Sequence, residues 1–185
     1  MINETHFVTD LETFDNRSTA AIASIGIACV KHGEIVGRFY TRVYVNSHTA
    51  LGGTLNADTV KWWMRQDAEA RREVDGSQES LDIGVALAAV RQFIEAHAPE
   101  RDDRRVWGNG SSFDNVILRN AYDAAQLPPP WDFWNDRDLR TICALYPTAK
   151  ADIKFQGVKH NALDDANHEA RILCAALRVN AGVPA

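Results

Sequence analysis

Apolar and polar positions follow a strand-like period at the start of the chain and a helical one later. Residues 6–13, His6-Phe7-Val8-Thr9-Asp10-Leu11-Glu12-Thr13, read as a strand that carries two carboxylates. Residues 20–31 form a near-continuous apolar run through Ile22, Ile25, Ile27, Cys29 and Val30, as a central strand does. His32-Gly33 marks a tight turn, and residues 34–45 alternate as the returning strand. Residues 6–45 are thus expected to form a three-stranded antiparallel meander. Residues 46–55 read as a loop, after which Asn56 or Asp58 caps a helix through Gln66. Val60, Trp63 and Met64 share one face of that helix, predicting a core stripe, while Trp62 falls off it. Trp62 either covers a neighbouring element or stacks on a ligand.

Residues 80–97 repeat Leu81, Val85, Leu87, Ala88, Phe93 and Ile94 at helical spacing. A short strand at residues 105–108 leads to a helix over residues 113–125, capped by Ser111 or Ser112 and ended by Leu127-Pro128-Pro129-Pro130. Residues 131–137 are aromatic and irregular, and Asp138 starts a short helix stopped before Pro147. Asn161 caps a last helix, residues 162–179, with Asp164 in a capping-box position. Three antiparallel strands followed by alternating helix and strand indicate an α/β (α+β) sheet with helices on its faces. Without repeats, linkers or low-complexity tails, residues 1–185 are expected to form one domain.

Composition narrows the class without choosing a function. The chain is 45% hydrophobic and 24% charged, as ordinary globular proteins are. It shows no secretory signal, and its longest apolar stretch, residues 20–30, is too short to span a bilayer. Cys29, Cys143 and Cys174 are scattered and lack a CxxC pattern, which argues against disulfides or a thiolate zinc site and for a reducing cytoplasm. A formal net charge of −5 argues against coating duplex nucleic acid, yet leaves room for an enzyme that takes one strand end into a pocket.

The candidate chemistry lies in three acidic stretches. Asp10 and Glu12, two positions apart in a strand, point to one face roughly 6–7 Å apart, where they repel unless a cation compensates. Asp114 sits in the first turn of a helix after a strand and Gly-rich turn, a place the helix dipole favours in any case. His160 precedes the last helix, and Asp165 lies in its first turns beside the small residues Ala162 and Ala166. With Asp164 in the capping role, Asp165 is left near the packed side and needs a partner. His168 and Glu169, further along, are expected on a solvated face.

Taken together, D-x-E, a helix-start Asp after a strand, and H-x4-D resemble the DnaQ-like 3′→5′ exonucleases, the DEDDh group with an RNase H-like fold. Asp10-Leu11-Glu12-Thr13 followed by Ala21-Ile22-Ala23-Ser24-Ile25-Gly26 is similar to the first motif and second strand of that family. Ser112-Phe113-Asp114-Asn115 is similar to its second motif, and His160-Asn161-Ala162-Leu163-Asp164-Asp165-Ala166 to its third. Trp62-Trp63, Trp107-Gly108-Asn109-Gly110 and Asp136-Arg137-Asp138-Leu139-Arg140-Thr141 resemble a small single-domain branch of phage and actinobacterial exonucleases and exoribonucleases, itself related to RNase T. The likeness spans about residues 6–178.

It implies an RNase H-like mixed five-stranded sheet, an antiparallel meander and then parallel strands, flanked by helices. It also implies that Asp10, Glu12, Asp114 and Asp165 hold two divalent cations, Mg²⁺ or Mn²⁺, with His160 as general base. Hard cations need only oxygen ligands, and two of them about 3.5–4 Å apart suit phosphodiester hydrolysis. A histidine can accept a proton from water at neutral pH. The implied reaction removes 5′-mononucleotides from the 3′ end of a single strand, RNA slightly ahead of DNA, and the RNase T likeness implies a homodimer. Thr13, Trp62, Asn109, Asn115 and Arg137 are candidate contacts to the strand; Trp107 and Trp134 are further stacking candidates and Arg140 a phosphate contact. Three other readings compete: a non-catalytic oligonucleotide-binding module, a proofreading subunit, and a Ser–His–Asp hydrolase from Ser111 or Ser112, His160 and Asp114. The chain has no evident tail for docking a polymerase and no G-x-S-x-G elbow.

Overall fold

The computed structural model describes residues 1–151 and 153–182. The meander forms as the pattern dictates: β1 (His6–Thr13), β2 (Ile22–Lys31) and β3 (Glu34–Arg42) are antiparallel neighbours. β4 (Arg105–Gly108) pairs with β1 in parallel, and β5 (Asp136–Asp138) with β4 in parallel, so the sheet runs β3-β2-β1-β4-β5. This is the mixed five-stranded sheet expected above.

The helices, in chain order, are α1 (Val45–Thr49), α2 (Ala57–Trp63), α3 (Ala68–Arg71), α4 (Ile83–His97), α5 (Asp114–Ala124), α6 (Leu139–Leu145), α7 (Thr148–Ala151) and α8 (Ala162–Asn180). Two cores divide on the faces of the sheet. Phe7, Leu11, Ile25 and Ile27 pack with Leu87, Val90 and Ile94 of α4 and Ile117 and Leu118 of α5. Val8, Ala28 and Val30 pack with Leu139 and Ile142 of α6 and Leu173 and Leu177 of α8. Asp10 and Glu12 keep the parity of Val8, so they lie on the face that α8 covers.

The start of α8 is seated on β2 at Gly26, the strand partner of Asp10. A Cβ there would stand 2.1 Å from the Ala162 carbonyl oxygen, so only glycine lets the helix approach this closely. Asn161 caps the helix by accepting from the Asp164 amide, as its position in the sequence requires.

Several expectations need correction. In α2 only Trp63 is core; Val60 is 36% and Met64 70% exposed, since that face of the helix is left largely uncovered. Leu81 lies before α4, and Val85 is exposed, the buried stripe being Ile83, Ala86, Leu87, Val90 and Ile94. Neither Ser111 nor Ser112 caps α5: Phe113 holds the cap position without a side-chain bond, and the Ser111 amide donates to Asp138. Part of the stretch read as irregular, Asp136 onward, is β5.

Candidate active site

Three chain segments bring the acidic motifs to one place. β1 presents Asp10 and Glu12 beneath α8. β4 ends at Gly108 after pairing only with His6–Val8 of β1, which leaves the Leu11 amide without a ladder partner on that side. The Asp114 Oδ1, in the first turn of α5, accepts it at 3.2 Å. From α8, Asp165 accepts the His160 amide at 2.7 Å, folding the preceding loop back onto the helix start. Glu12, His160 and Asp165 each bring a ligand-competent atom to within 4.8 Å of the others.

The His160 backbone has φ 64, a left-handed conformation that a side chain larger than glycine adopts at a cost of about 1–3 kcal/mol. The constraints that hold it are visible. Its ring stands edge-on to Trp62 at 4.9 Å and to Trp63 at 6.1 Å, and Trp63 Nε1 donates to the Thr13 carbonyl at the end of β1. Trp62, left open between two roles above, therefore packs on His160 while remaining 38% exposed.

A second support is legible only in three dimensions. Glu73, 4% exposed, accepts from Ser24 Oγ of β2, Tyr40 Oη and Arg42 Nη2 of β3, and Asn161 Nδ2 beside His160. It ties the α3 region, two strands and the loop before α8 together. Glu73→Ala strands these donors, the Arg42 guanidinium included. It is expected to cost about 3–5 kcal/mol, read as a lowered urea midpoint, with Glu73→Gln retaining part of that stability.

The electrostatics are those of uncompensated acids. Burial first and like charges second, Asp165 foremost among them, push Glu12 up to about 9. Burial, then Glu169, Glu12 and Asp114, raise Asp10 well above the carboxylate range. Burial raises Asp114 to about 7 against amides, Leu11 foremost, that favour its charge. Asp165 is raised by burial, against the His160 amide. Among the described residues, no Lys or Arg forms an ion pair with any of them. Arg140 offsets part of the charge on Asp114 and Glu169 without forming an ion pair with either, and a pocket of carboxylates so weakly compensated fits divalent cations.

Glu169 belongs to this group and was misplaced by the sequence reading. It is 6% exposed rather than solvated, and burial and the charge of Asp114 push it up to about 8. The overlooked signal is its spacing: four residues after Asp165 on one helix, it faces the same way. Its neighbour His168, expected on the same solvated face, is half-buried, with its ring against Phe155 and its Nδ1 enclosed.

The strand-contact candidates fare unevenly. Asn109 is exposed at the mouth and accepts from Arg140 Nε. Asn115 has no accessible surface; its amide donates to the Val106 carbonyl and to Asp136, bonding α5 to the strands, so it cannot reach a ligand. Trp107 is likewise enclosed, donating to His6. Thr13 is 7% exposed and its hydroxyl donates to the Asp15 carbonyl. Arg137 turns back on the Trp134 and Asp136 carbonyls, while Trp134 itself is 60% exposed.

A meander continued by two parallel strands, with acids gathered on the central strand and an Asp from each of two helices, defines the RNase H-like exonuclease architecture. Solved structures of that class superpose on it. The nuclease domain of 3′hExo, a DEDDh family member bound to rAMP, matches with TM-score 0.61 and 16% identity over 98% of this chain and 96% of its own. E. coli exonuclease I in complex with a dT13 oligonucleotide matches with TM-score 0.63 and 16% identity over 95% of this chain. This chain spans 41% of that enzyme's length. Residues 5–177 match the Rv2179c-like family, the 3′-5′ exoribonuclease Rv2179c-like domain, and the chain belongs to that family of DnaQ-like exonucleases. An exodeoxyribonuclease of Enterobacteria phage T4 is 27% identical over 157 residues, 73% of this chain and 69% of the phage protein.

Proposed function

We propose that the chain is a divalent-cation-dependent exonuclease that removes 5′-mononucleotides from the 3′ end of single-stranded nucleic acid, with short RNA favoured over DNA. The observation that carries this reading is the convergence of Asp10, Glu12, Asp114 and Asp165, with His160, on one pocket where, among the described residues, no Lys or Arg forms an ion pair with the acids. These four carboxylates would hold two ions, Mg²⁺ or Mn²⁺. When bound, the ions supply Lewis acidity to the phosphate and offset charge on the leaving oxygen.

The chain's own residues do the rest. His160, held against Trp62 and beside Glu12 and Asp165, accepts the proton of the attacking water as its oxygen bonds to phosphorus. The P–O3′ bond breaks, and the departing 3′ oxygen takes a proton from solvent. Trp62 and the exposed Trp134 offer faces for bases. A groove of about 320 Å³ beyond the end of β1, lined by Phe14, Tyr44, Leu55 and Val60, is a further place for one. The exoribonuclease family favours RNA; the phage relative, by its name, acts on DNA. A cytoplasmic location and a homodimer complete the proposal; sedimentation of the purified chain at the mass of two copies is the result expected, and a single-copy mass removes the homodimer from it.

The test is a matched digest of RNA and DNA oligomers, with free or blocked 3′ ends, in Mn²⁺ or Mg²⁺ and in EDTA. Stepwise shortening from free 3′ ends, abolished by EDTA and by blocking, is expected, with RNA consumed faster. Retention of intact oligomers on the protein in Mn²⁺ instead identifies a binding module.

A further inference from the structure

Glu12, His160 and Asp165 form the close cluster of the site. Glu169 lies one helical turn after Asp165 on the buried side of α8, the helix that covers the β1 face carrying Asp10 and Glu12. Its charge bears on Asp10 of β1, and that of Asp114 at the start of α5 bears on it.

Glu169 has no packing reason to be there. Its Oε2 is buried without a hydrogen-bond partner among the described residues. Its surroundings are acids, the side chain of Asn109, whose carbonyl is held by Arg140, and the Arg140 guanidinium, which offsets only part of the repulsion. A buried carboxylate with an unsatisfied oxygen among like charges is costly, and an aliphatic side chain of that volume would be cheaper. Four carboxylates already account for the motif, so a fifth, aimed inward one helical turn after Asp165, needs its own explanation.

We propose that Glu169 is a fifth carboxylate of the cation site, a ligand supplied by α8 one turn after Asp165. The inference rests on the cation-dependent reading above. Asn109 and Arg140 then act as positioning residues: the amide orients the Glu169 carboxylate at the mouth of the pocket, and the guanidinium orients the amide.

Calorimetric titration of Mn²⁺ into the wild-type chain, Glu169→Gln and Glu169→Met tests it, with melting in EDTA as the control for folding. Both variants remove a buried charge while retaining volume, so their melting temperatures in EDTA are expected at or above that of the wild type. Both are expected to bind the weaker-held Mn²⁺ at least about 10-fold less tightly, the lower end of what a supporting group of a metal site contributes. A merely structural Glu169 lowers the melting temperature in EDTA and leaves Mn²⁺ affinity alone. Wild-type affinity in either folded variant therefore overturns the assignment. Failure of the wild type itself to bind Mn²⁺ overturns the cation-dependent reading, and this inference with it.

Discussion

His160→Ala is expected to lower turnover by about 10²–10⁴-fold, the range general acid–base catalysis contributes, while leaving cation binding in place. The expectation follows from what each neighbour offers. Glu12 and Asp165 offer carboxylate oxygens suited to a cation, whereas the imidazole beside them offers a ring nitrogen that can take the proton of the attacking water. Its setting is built for position: a left-handed backbone, a main-chain bond to Asp165 and two indole edges hold one ring. Single-turnover digestion gives the rate, and Mn²⁺ titration of the same variant gives the affinity. A fall in Mn²⁺ affinity as large as the fall in rate would make His160 a ligand and remove it from the role of base.

The second large effect is on stability, and its sign is set by the raised carboxyls. Asp114, Glu169 and Glu12, pushed up to about 7, 8 and 9, hold protons in the folded chain that the unfolded chain has already released. Where the folded state binds more protons, stability falls as pH rises. In EDTA, melting is therefore expected to drop between pH 6.5 and pH 9 by an amount on the order of 2 kcal/mol, roughly 4–8 °C for a chain of this size. That window lies above the ordinary histidine value of 6.5, below which the lowered pKa of buried His6 and His48 works in the opposite direction. Saturating Mg²⁺ or Mn²⁺ is expected to reverse the drop, since a cation present at 100 times its Kd adds about 2.7 kcal/mol. A melting curve indifferent both to pH and to cation would show that the acids do not form a shared electrostatic site.

What could be read from the chain, and what could not, follows from how far each signal reaches. β1, β2 and α8 were legible because their apolar residues keep one period over eight or more positions and a cap or turn closes each end. β5 was not: Asp136-Arg137-Asp138 has no apolar alternation and is a strand only because β4 offers it an edge. The core stripe expected through Val60 and Met64 failed because the helical period says which residues share a face, not whether anything covers that face. The same blindness put Glu169 in water. Periodicity aligned it with Asp165, but only the packing of α8 on β1 and β2 decides that this side is inward. Glu73 carries no local signal at all, since its partners lie on β2, β3 and the loop before α8. The motif acids were legible because the resemblance joined segments that the fold alone brings together.

One junction bears on how an inactive chain should be made. Asp114 accepts the Leu11 amide where β4 has already parted from β1, so it completes a rung of the central strand as well as facing the pocket. Truncating it to alanine would unstitch the backbone at the very place where an oligonucleotide must rest, and a lost digest could then reflect a frayed strand. Asparagine keeps an oxygen for the amide and discards only the charge. For trapping an uncut strand, Asp114→Asn is therefore the faithful decoy.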